Sequence, residues 1–428
     1  MKIDIIKYFI LDYIRSWTSK IGRRFAYSLA FNYLIPTIGC LIVLFVISIF
    51  HDHNFQNLIA ILAGITFTRF SDYLKSISSF FYEDSIKVNA DKLNYSSEYF
   101  IKFNISGKKV QIIYDPLYLV RDLRSSYEMI VFDSQEFNYE PPSIISYNFT
   151  KLLSLHKNEF IENFNCIRLD DIDIDGVNNI VSLFVGRVRC FDHLVTNFAM
   201  DYKLDNGASI REIYESGAHL SALRDSKMAN QIGFNCLVFL SDDVLLIPHR
   251  GNNSSISKNM FTSSIAMPYR FDDNQIAINS DDLLITNIKN ALITRLGIEK
   301  NFAQTIKIRS VFLGLGRDVL WGGKPQMYFY ARLDIKSLDY LRHSSFFDSK
   351  GRIMDKDKRV LLVSGLNYIE NSGVLRLECI DSHMLLHHTY RITYIAAKAE
   401  CSFFNNLYHF SIFNSDDTLN NWLHKKLV

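Results

Sequence analysis

The pattern of apolar and polar residues divides the chain into an apolar N-terminal part and a long remainder of short, mixed segments. An uncharged run extends from Phe25 to Phe50, and a shorter apolar run extends from Phe55 to Thr68. A helix of about 20 residues crosses the hydrocarbon core of a bilayer, so the first run is long enough to span it. Basic residues are concentrated before the first run, and residues 51–54 between the runs contain neither Lys nor Arg. We therefore predict a transmembrane hairpin that places both of its ends in the cytoplasm.

The chain after about residue 89 lacks long apolar runs and instead clusters or alternates apolar residues over a few positions, as strands do. The segments predicted as strands are 108–116, 127–133, 165–171, 181–191, 234–241, 243–250, 305–315, 326–335, 359–365, 375–380 and 390–397. Helical patterns cover 209–232, 280–298 and 418–427. Together they predict a mixed α/β (α+β) domain with a largely antiparallel sheet.

Composition and charge exclude several classes of protein. With 48% hydrophobic and 21% charged residues, the chain is neither disordered nor fibrous. The 47 Lys and Arg nearly balance the 45 Asp and Glu, which argues against a binder of duplex nucleic acid. The six cysteines are scattered, so neither a cysteine metal site nor a redox pair is predicted.

The helix predicted at 280–298 has clear start and stop signals. Ser280 is suited to cap the helix, and Asp281 and Asp282 place negative charge in its first turn. Gly297 is suited to end it, because glycine accepts the left-handed conformation that often follows a helix.

Three segments in this order resemble the core of a Nudix domain. Ser226–Gly251 contains a strand, an acidic turn and a second strand, Ser280–Ile298 lies where the Nudix helix would be, and Ser310–Asp334 resembles the closing strands. The resemblance implies a mixed-sheet α/β/α sandwich with a ligand cleft. The complete predicted fold is thus an N-terminal transmembrane hairpin followed by this sandwich, with an N-terminal extension between the two.

The catalytic signature of that family is degenerate here. Alignment on Gly297 puts Asn290-Ala291 at the expected Arg-Glu pair and Thr294-Arg295 at the expected Glu-Glu pair, with Asp282 as a conservative remnant. Hydrolysis by the family's mechanism needs carboxylates one helical turn apart that hold Mg²⁺. We therefore predict a protein that is not an enzyme, with no catalytic residues, no metal site and no cofactor.

The arrangement of hairpin and degenerate domain is similar to the two-transmembrane, Nudix-like effectors of CBASS anti-phage systems. That resemblance implies a bacterial inner-membrane, multi-pass protein with a cytoplasmic C-terminal domain that senses a cyclic oligonucleotide. Its implied partners are the lipid bilayer, this second messenger and further copies of the chain, which would assemble and disrupt the membrane. Duplex nucleic acid is not among them. The predicted regions are a basic N-terminus (1–25), the hairpin (26–75), an extension (76–225), the Nudix-like domain (226–400) and a C-terminal helix (401–428).

A pocket for a cyclic nucleotide should supply cations for the phosphodiesters and aromatic side chains for the bases. The residues predicted to bind the ligand are Arg250, Arg270, Arg317, Trp321, Lys324, Tyr328 and Arg332.

Two alternatives remain open at this stage. One is a membrane-tethered, atypical Nudix hydrolase that uses the aspartate pairs 242–243, 272–273 and 281–282. The other is a membrane scaffold whose sheet domain binds a protein partner.

Overall fold

The computed structural model describes most of the chain after residue 93. The described residues are 94–120, 128–134, 136, 139–156, 163–250, 260–270, 281–354, 359–369 and 374–413. All of them belong to the second of two units, Ser85–Val428. The predicted hairpin (26–75) and the helical pattern at 418–427 lie outside the described residues.

Strands predominate in the described part. They are, in chain order, β1 (Phe100–Ile105), β2 (Lys108–Ile113), β3 (Asp115–Leu119), β4 (Glu128–Asp133), β5 (Asn165–Asp175), β6 (Ile180–Arg189), β7 (Gly233–Phe239), β8 (Leu245–Pro248), β9 (Ile265–Pro268), β10 (Ile308–Asp318), β11 (Lys324–Leu333), β12 (Val360–Ile369), β13 (Val374–Ile380) and β14 (Ile392–Lys398). The helices are α1 (Ser143–Tyr147), α2 (Phe149–Leu153), α3 (Cys190–Val195), α4 (Ile210–Tyr214), α5 (Asp281–Leu296), α6 (Lys300–Thr305), α7 (Ser337–Arg342), α8 (Ser382–Leu386) and α9 (Cys401–Phe413).

The largest sheet has nine strands in the order β14-β13-β12-β8-β7-β11-β10-β3, with β9 paired to β7. Its pairs are antiparallel except for β7 and β11, which run parallel. A three-stranded sheet, β4-β6-β5, and the hairpin β1-β2 complete the described sheets. Each residue of β7 is buried, as expected for a strand covered on both faces.

Helices cover β11 on both of its faces. Tyr328 stacks on His409 of α9 with ring centroids 4.6 Å apart. The next residue of the strand, Phe329, faces the other way and stacks on Phe234 at 4.6 Å. Tyr269 continues that second layer, where its hydroxyl interacts with Asn287 of α5.

The predicted fold, a transmembrane hairpin before a Nudix-like sandwich, is wrong. The structure supports a mixed α/β chain made mostly of sheets. No helix in the described ranges is long and apolar enough to cross a membrane, and the longest described helix, α5, has 16 residues. The same finding contradicts the predicted multi-pass location in the bacterial inner membrane, although the hairpin segment itself is not among the described residues.

Local predictions met different outcomes. The helix predicted at 280–298 is confirmed as α5, and Gly297 follows it with φ +71°. The helix predicted at 209–232 is wrong beyond its first turn: α4 starts after Ser209, which accepts a hydrogen bond from Glu212 N, and ends at Tyr214. Helix α9 (Cys401–Phe413) lies within the C-terminal helix predicted at 401–428, and residues 414–428 are not described.

Candidate functional site

The connection between β10 and β11 brings several polar and aromatic side chains together. The chain passes from Asp318 through a 3-10 turn, Val319–Trp321, and then through Gly322 and Gly323 to Lys324. Both glycines have left-handed backbones, with φ +60° and +77°. A Cβ at Gly322 would lie 2.6 Å from Met200 Sδ, so this turn depends on glycine for its backbone angles and for its packing. Asp318 and Lys324 are cross-strand partners across the connection.

Lys324 is a cation without a counterion in contact. Its Nζ lies 4.8 Å from the ring centroid of Phe198, and among the described residues it makes neither a hydrogen bond nor an ion pair. A Cβ added at Gly233 would lie 3.4 Å from this Nζ, so the backbone of β7 approaches the ammonium closely. Burial lowers the pKa of Lys324 to about 8, while Asp318 and Glu400 act to raise it. The side chain remains partly exposed. Its surroundings, with Phe198, Trp321, Arg250 and Arg270, are called the Lys324 cleft below.

Two arginines lie in the same region. The exposed Arg270 guanidinium is 4.0 Å from the ring centroid of Phe164, and its backbone pairs with Cys166. Burial raises the pKa of the Cys166 thiol, and the positive charges of Arg270 and Lys324 both oppose that rise. Arg250 forms an ion pair with the buried carboxylate of Glu400 and lowers the pKa of Lys324. The structure thus brings together three of the predicted cations.

Two buried carboxyl groups accompany these cations. Asp318 is 1% exposed, and among the described residues neither of its carboxylate oxygens has a side-chain hydrogen-bond partner, although the backbone N–H of Leu320 acts to lower its pKa. Burial raises the pKa of Asp318 to about 7, and the ammonium of Lys324 is the main opposing influence. Glu400 is 7% exposed and precedes α9, where its Oε2 accepts a hydrogen bond from Ser402 Oγ at 3.0 Å.

The two predicted aromatic residues differ in access. Trp321 is partly exposed and packs edge-on against Phe198 at 4.9 Å, so these two rings form an aromatic wall beside Lys324. Tyr328 is fully buried between the sheet and α9, which makes it a packing residue in this structure.

The remaining two predicted cations are each engaged by a carboxylate. Arg317 donates from Nε to Asp115 Oδ2 at 2.7 Å and from Nη1 to Ser221 O at 2.6 Å. Arg332 lies at the far end of β11 and donates from Nη2 to Asp243 Oδ1 at 2.7 Å.

Of the aspartates of the hydrolase alternative, 242 and 243 have structural partners, and the side chains of 272–273 and 281–282 are not described. Asp242 accepts a hydrogen bond from the backbone N–H of Ser337 at 3.0 Å and so caps α7. Asp243 pairs with Arg332. In the described part of the chain, no group of three or more His, Cys, Asp or Glu residues is arranged to hold a metal ion.

A cavity of about 260 Å³ lies between β5, β6 and the segments around 136–140 and 224–227. Its lining residues are Glu136, Tyr139, Glu140, Arg168, Asp170, Gly186, Arg187, Arg224, Ser226 and Lys227. Its arginines are largely neutralised: Arg187 pairs with Asp133 at 2.7 Å, and Arg168 and Arg224 also have carboxylate partners. The Lys324 cleft is the stronger candidate, because its central cation has no such partner among the described residues.

Sequence reasoning missed Asp318, Glu400 and Phe198. Asp318 ends an apolar strand. A carboxylate at the end of such a strand is a sequence signal that could have identified it as a candidate site residue. Glu400 and Phe198 reach the cleft only through tertiary structure.

Comparisons with models of known families and with curated proteins find no match to this chain. The assignment of the site therefore depends on its geometry alone.

Proposed function

We propose that this chain is a non-enzymatic receptor for a phosphate-containing ligand, and that a cyclic oligonucleotide binds in the Lys324 cleft. The supporting observation is the ammonium of Lys324, which is deep, partly accessible and without an ion-pair partner among the described residues. An unpaired cation in such surroundings is stabilised when an anion binds beside it.

The surroundings of Lys324 match the parts of a nucleotide. Arg270 is exposed and can reach a phosphate, since its described contact is with an aromatic face and not with a carboxylate. Phe198 and Trp321 provide aromatic surface for a base.

The local charge favours a ligand with few negative charges. Lys324 and Arg270 have no carboxylate partner among the described residues, whereas Arg250 is already paired with Glu400. Asp318 adds a carboxyl group next to Lys324. A phosphodiester carries one charge per phosphate and therefore suits this site better than a triphosphate does.

The proposal assigns no reaction to the chain. Hydrolysis of a diphosphate would need carboxylates grouped around Mg²⁺. Asp242 and Asp243 bind Ser337 and Arg332 instead, which leaves the hydrolase alternative without a described carboxylate group.

The first test is calorimetry of the full-length protein with cyclic di- and trinucleotides, using linear dinucleotides and nucleoside-diphosphate sugars as comparisons. We expect one cyclic species to bind and to be recovered intact. Lys324→Gln should weaken its binding about 10- to 100-fold, because a charge-assisted contact is worth about 1.5–3 kcal/mol.

Arg332→Gln is the matched control, since it removes a cation from the opposite end of the same strand. Equal losses in both variants would refute the assignment of the site. Mg²⁺-dependent breakdown of the ligand would favour the hydrolase, and a stable protein partner without any nucleotide binding would favour the scaffold.

A further inference from the structure

Asp318 is a buried carboxylic acid next to the proposed anion site. It is 1% exposed, has no side-chain hydrogen-bond partner among the described residues and lies directly across from Lys324 in the β10-β11 pair. An ionised carboxylate there repels an anionic ligand, whereas a neutral acid does not. The charge of Asp318 therefore bears on how well the cleft holds an anion.

The charged and titratable groups around Asp318 come from several elements. They are Lys324 and Tyr328 of β11, Glu400 and Cys401 at the start of α9, Arg211 of α4, and Tyr114 before β3. Burial raises the pKa values of Tyr114, Tyr328 and Cys401, so these three groups stay neutral.

Of the charged neighbours, only Lys324 is without an ion-pair partner among the described residues. Arg211 donates from Nε to Asp201 Oδ1 at 2.7 Å, and Glu400 is paired with Arg250. Lys324 is therefore the cation that balances an ionised Asp318 in the absence of ligand.

We propose that binding of an anionic ligand beside Lys324 is coupled to the uptake of a proton by Asp318, so that the cleft binds its ligand and a proton together. This inference rests on the proposed function, because it requires an anion in the cleft. Once the anion takes Lys324 as its counterion, Asp318 loses its balancing charge and gains a like charge nearby. Both changes favour the neutral acid.

In the free protein, Asp318 is already close to taking up this proton. Burial raises the pKa of Asp318 to about 7, so the carboxyl group is partly protonated near neutral pH. A like charge within about 4–6 Å raises a carboxyl pKa further. The proton comes from the solvent on binding and returns to it on dissociation, with no other bond made or broken.

The test is calorimetry of full-length protein at pH 7.5 in two buffers with different ionisation enthalpies. The probes are cyclic di- and trinucleotides, with dimethyl phosphate as a minimal, singly charged phosphodiester. We expect the wild type to take up about 0.5–1 proton per ligand at pH 7.5, and its affinity to fall about three- to tenfold from about pH 7 to 8.

Asp318→Asn imitates the protonated acid and should bind at about pH 8.5 at least as tightly as the wild type. Its proton uptake should fall to roughly 0.2, the share left to Lys324. Asp334→Asn, an exposed carboxylate near the other end of the β10-β11 pair, is the matched control and should behave like the wild type.

Binding without proton uptake, or unchanged uptake in Asp318→Asn, overturns this inference and leaves the receptor function standing. Failure of every probe to bind overturns the receptor function and this inference with it. If Asp318→Asn does not fold, carboxyl carbon NMR of the wild type decides instead: the pKa of Asp318 must rise when the probe binds.

Discussion

The two ends of strand β11 hold cations in opposite circumstances. At its start, Lys324 lies deep, and no described carboxylate is in ion-pair contact with it. Toward its end, the Arg332 side chain is 40% exposed and pairs with Asp243 at 2.7 Å. An exposed ion pair satisfies both charges and needs no ligand, whereas a deep and unpaired ammonium is costly unless something binds to it. The comparison supports the proposal that a ligand binds at the Lys324 end of the strand.

The largest expected effect is on the pH dependence of stability at the Lys324 end. Because burial raises the pKa of Asp318 from 3.8 to about 7, the folded state holds a proton that the unfolded state releases. The contribution of Asp318 to stability is therefore present below about pH 4 and is lost as the pH rises toward 7, by on the order of 4 kcal/mol. Asp318→Asn should remove this loss, as measured by urea unfolding at several pH values.

Asp334→Asn is the control for that experiment, since its carboxylate is exposed. If Asp318→Asn and the wild type show the same pH dependence, Asp318 is not the buried acid that distinguishes this end of the strand.

A smaller effect is expected at the turn that positions Lys324. Gly322→Ala would force a left-handed residue and a contact with Met200, which should cost about 2 kcal/mol of unfolding free energy. Gly207→Ala is the control: its φ is +82° and its Cβ meets nothing within 4 Å, so it measures backbone strain alone. Equal losses of stability would mean that the packing of Gly322 on Met200 does not support the turn.

The smallest effect is expected at the Arg332 end. Arg332→Gln removes a half-exposed ion pair and should cost less than about 1 kcal/mol, because solvent screens such pairs. A loss of several kcal/mol, measured by chemical denaturation, would contradict the contrast between the two ends of β11. Arg332 would then behave like a buried charge such as Arg317, whose ion pair with Asp115 is largely buried.

The candidate site was only partly visible in the sequence. Lys324, Arg250, Arg270 and Trp321 were all predicted to bind ligand, and the structure places them around one region. Arg317 and Arg332 were chosen by the same criterion, yet each has a carboxylate partner. The sequence pattern cannot distinguish a paired cation from an unpaired one, because the partner can be far away along the chain. Asp115, for example, lies 202 positions from Arg317.

The sequence by itself determined the elements that depend on neighbouring residues. The strand patterns of β7, β10 and β11 follow from local apolar periodicity, and the end of α5 follows from the conformational freedom of Gly297. The tertiary structure alone decided which charges remain unpaired. Folding buries Asp318 across from Lys324 and directs Glu400 to Arg250, because the energy of a charge depends on its desolvation and on neighbours far away along the chain.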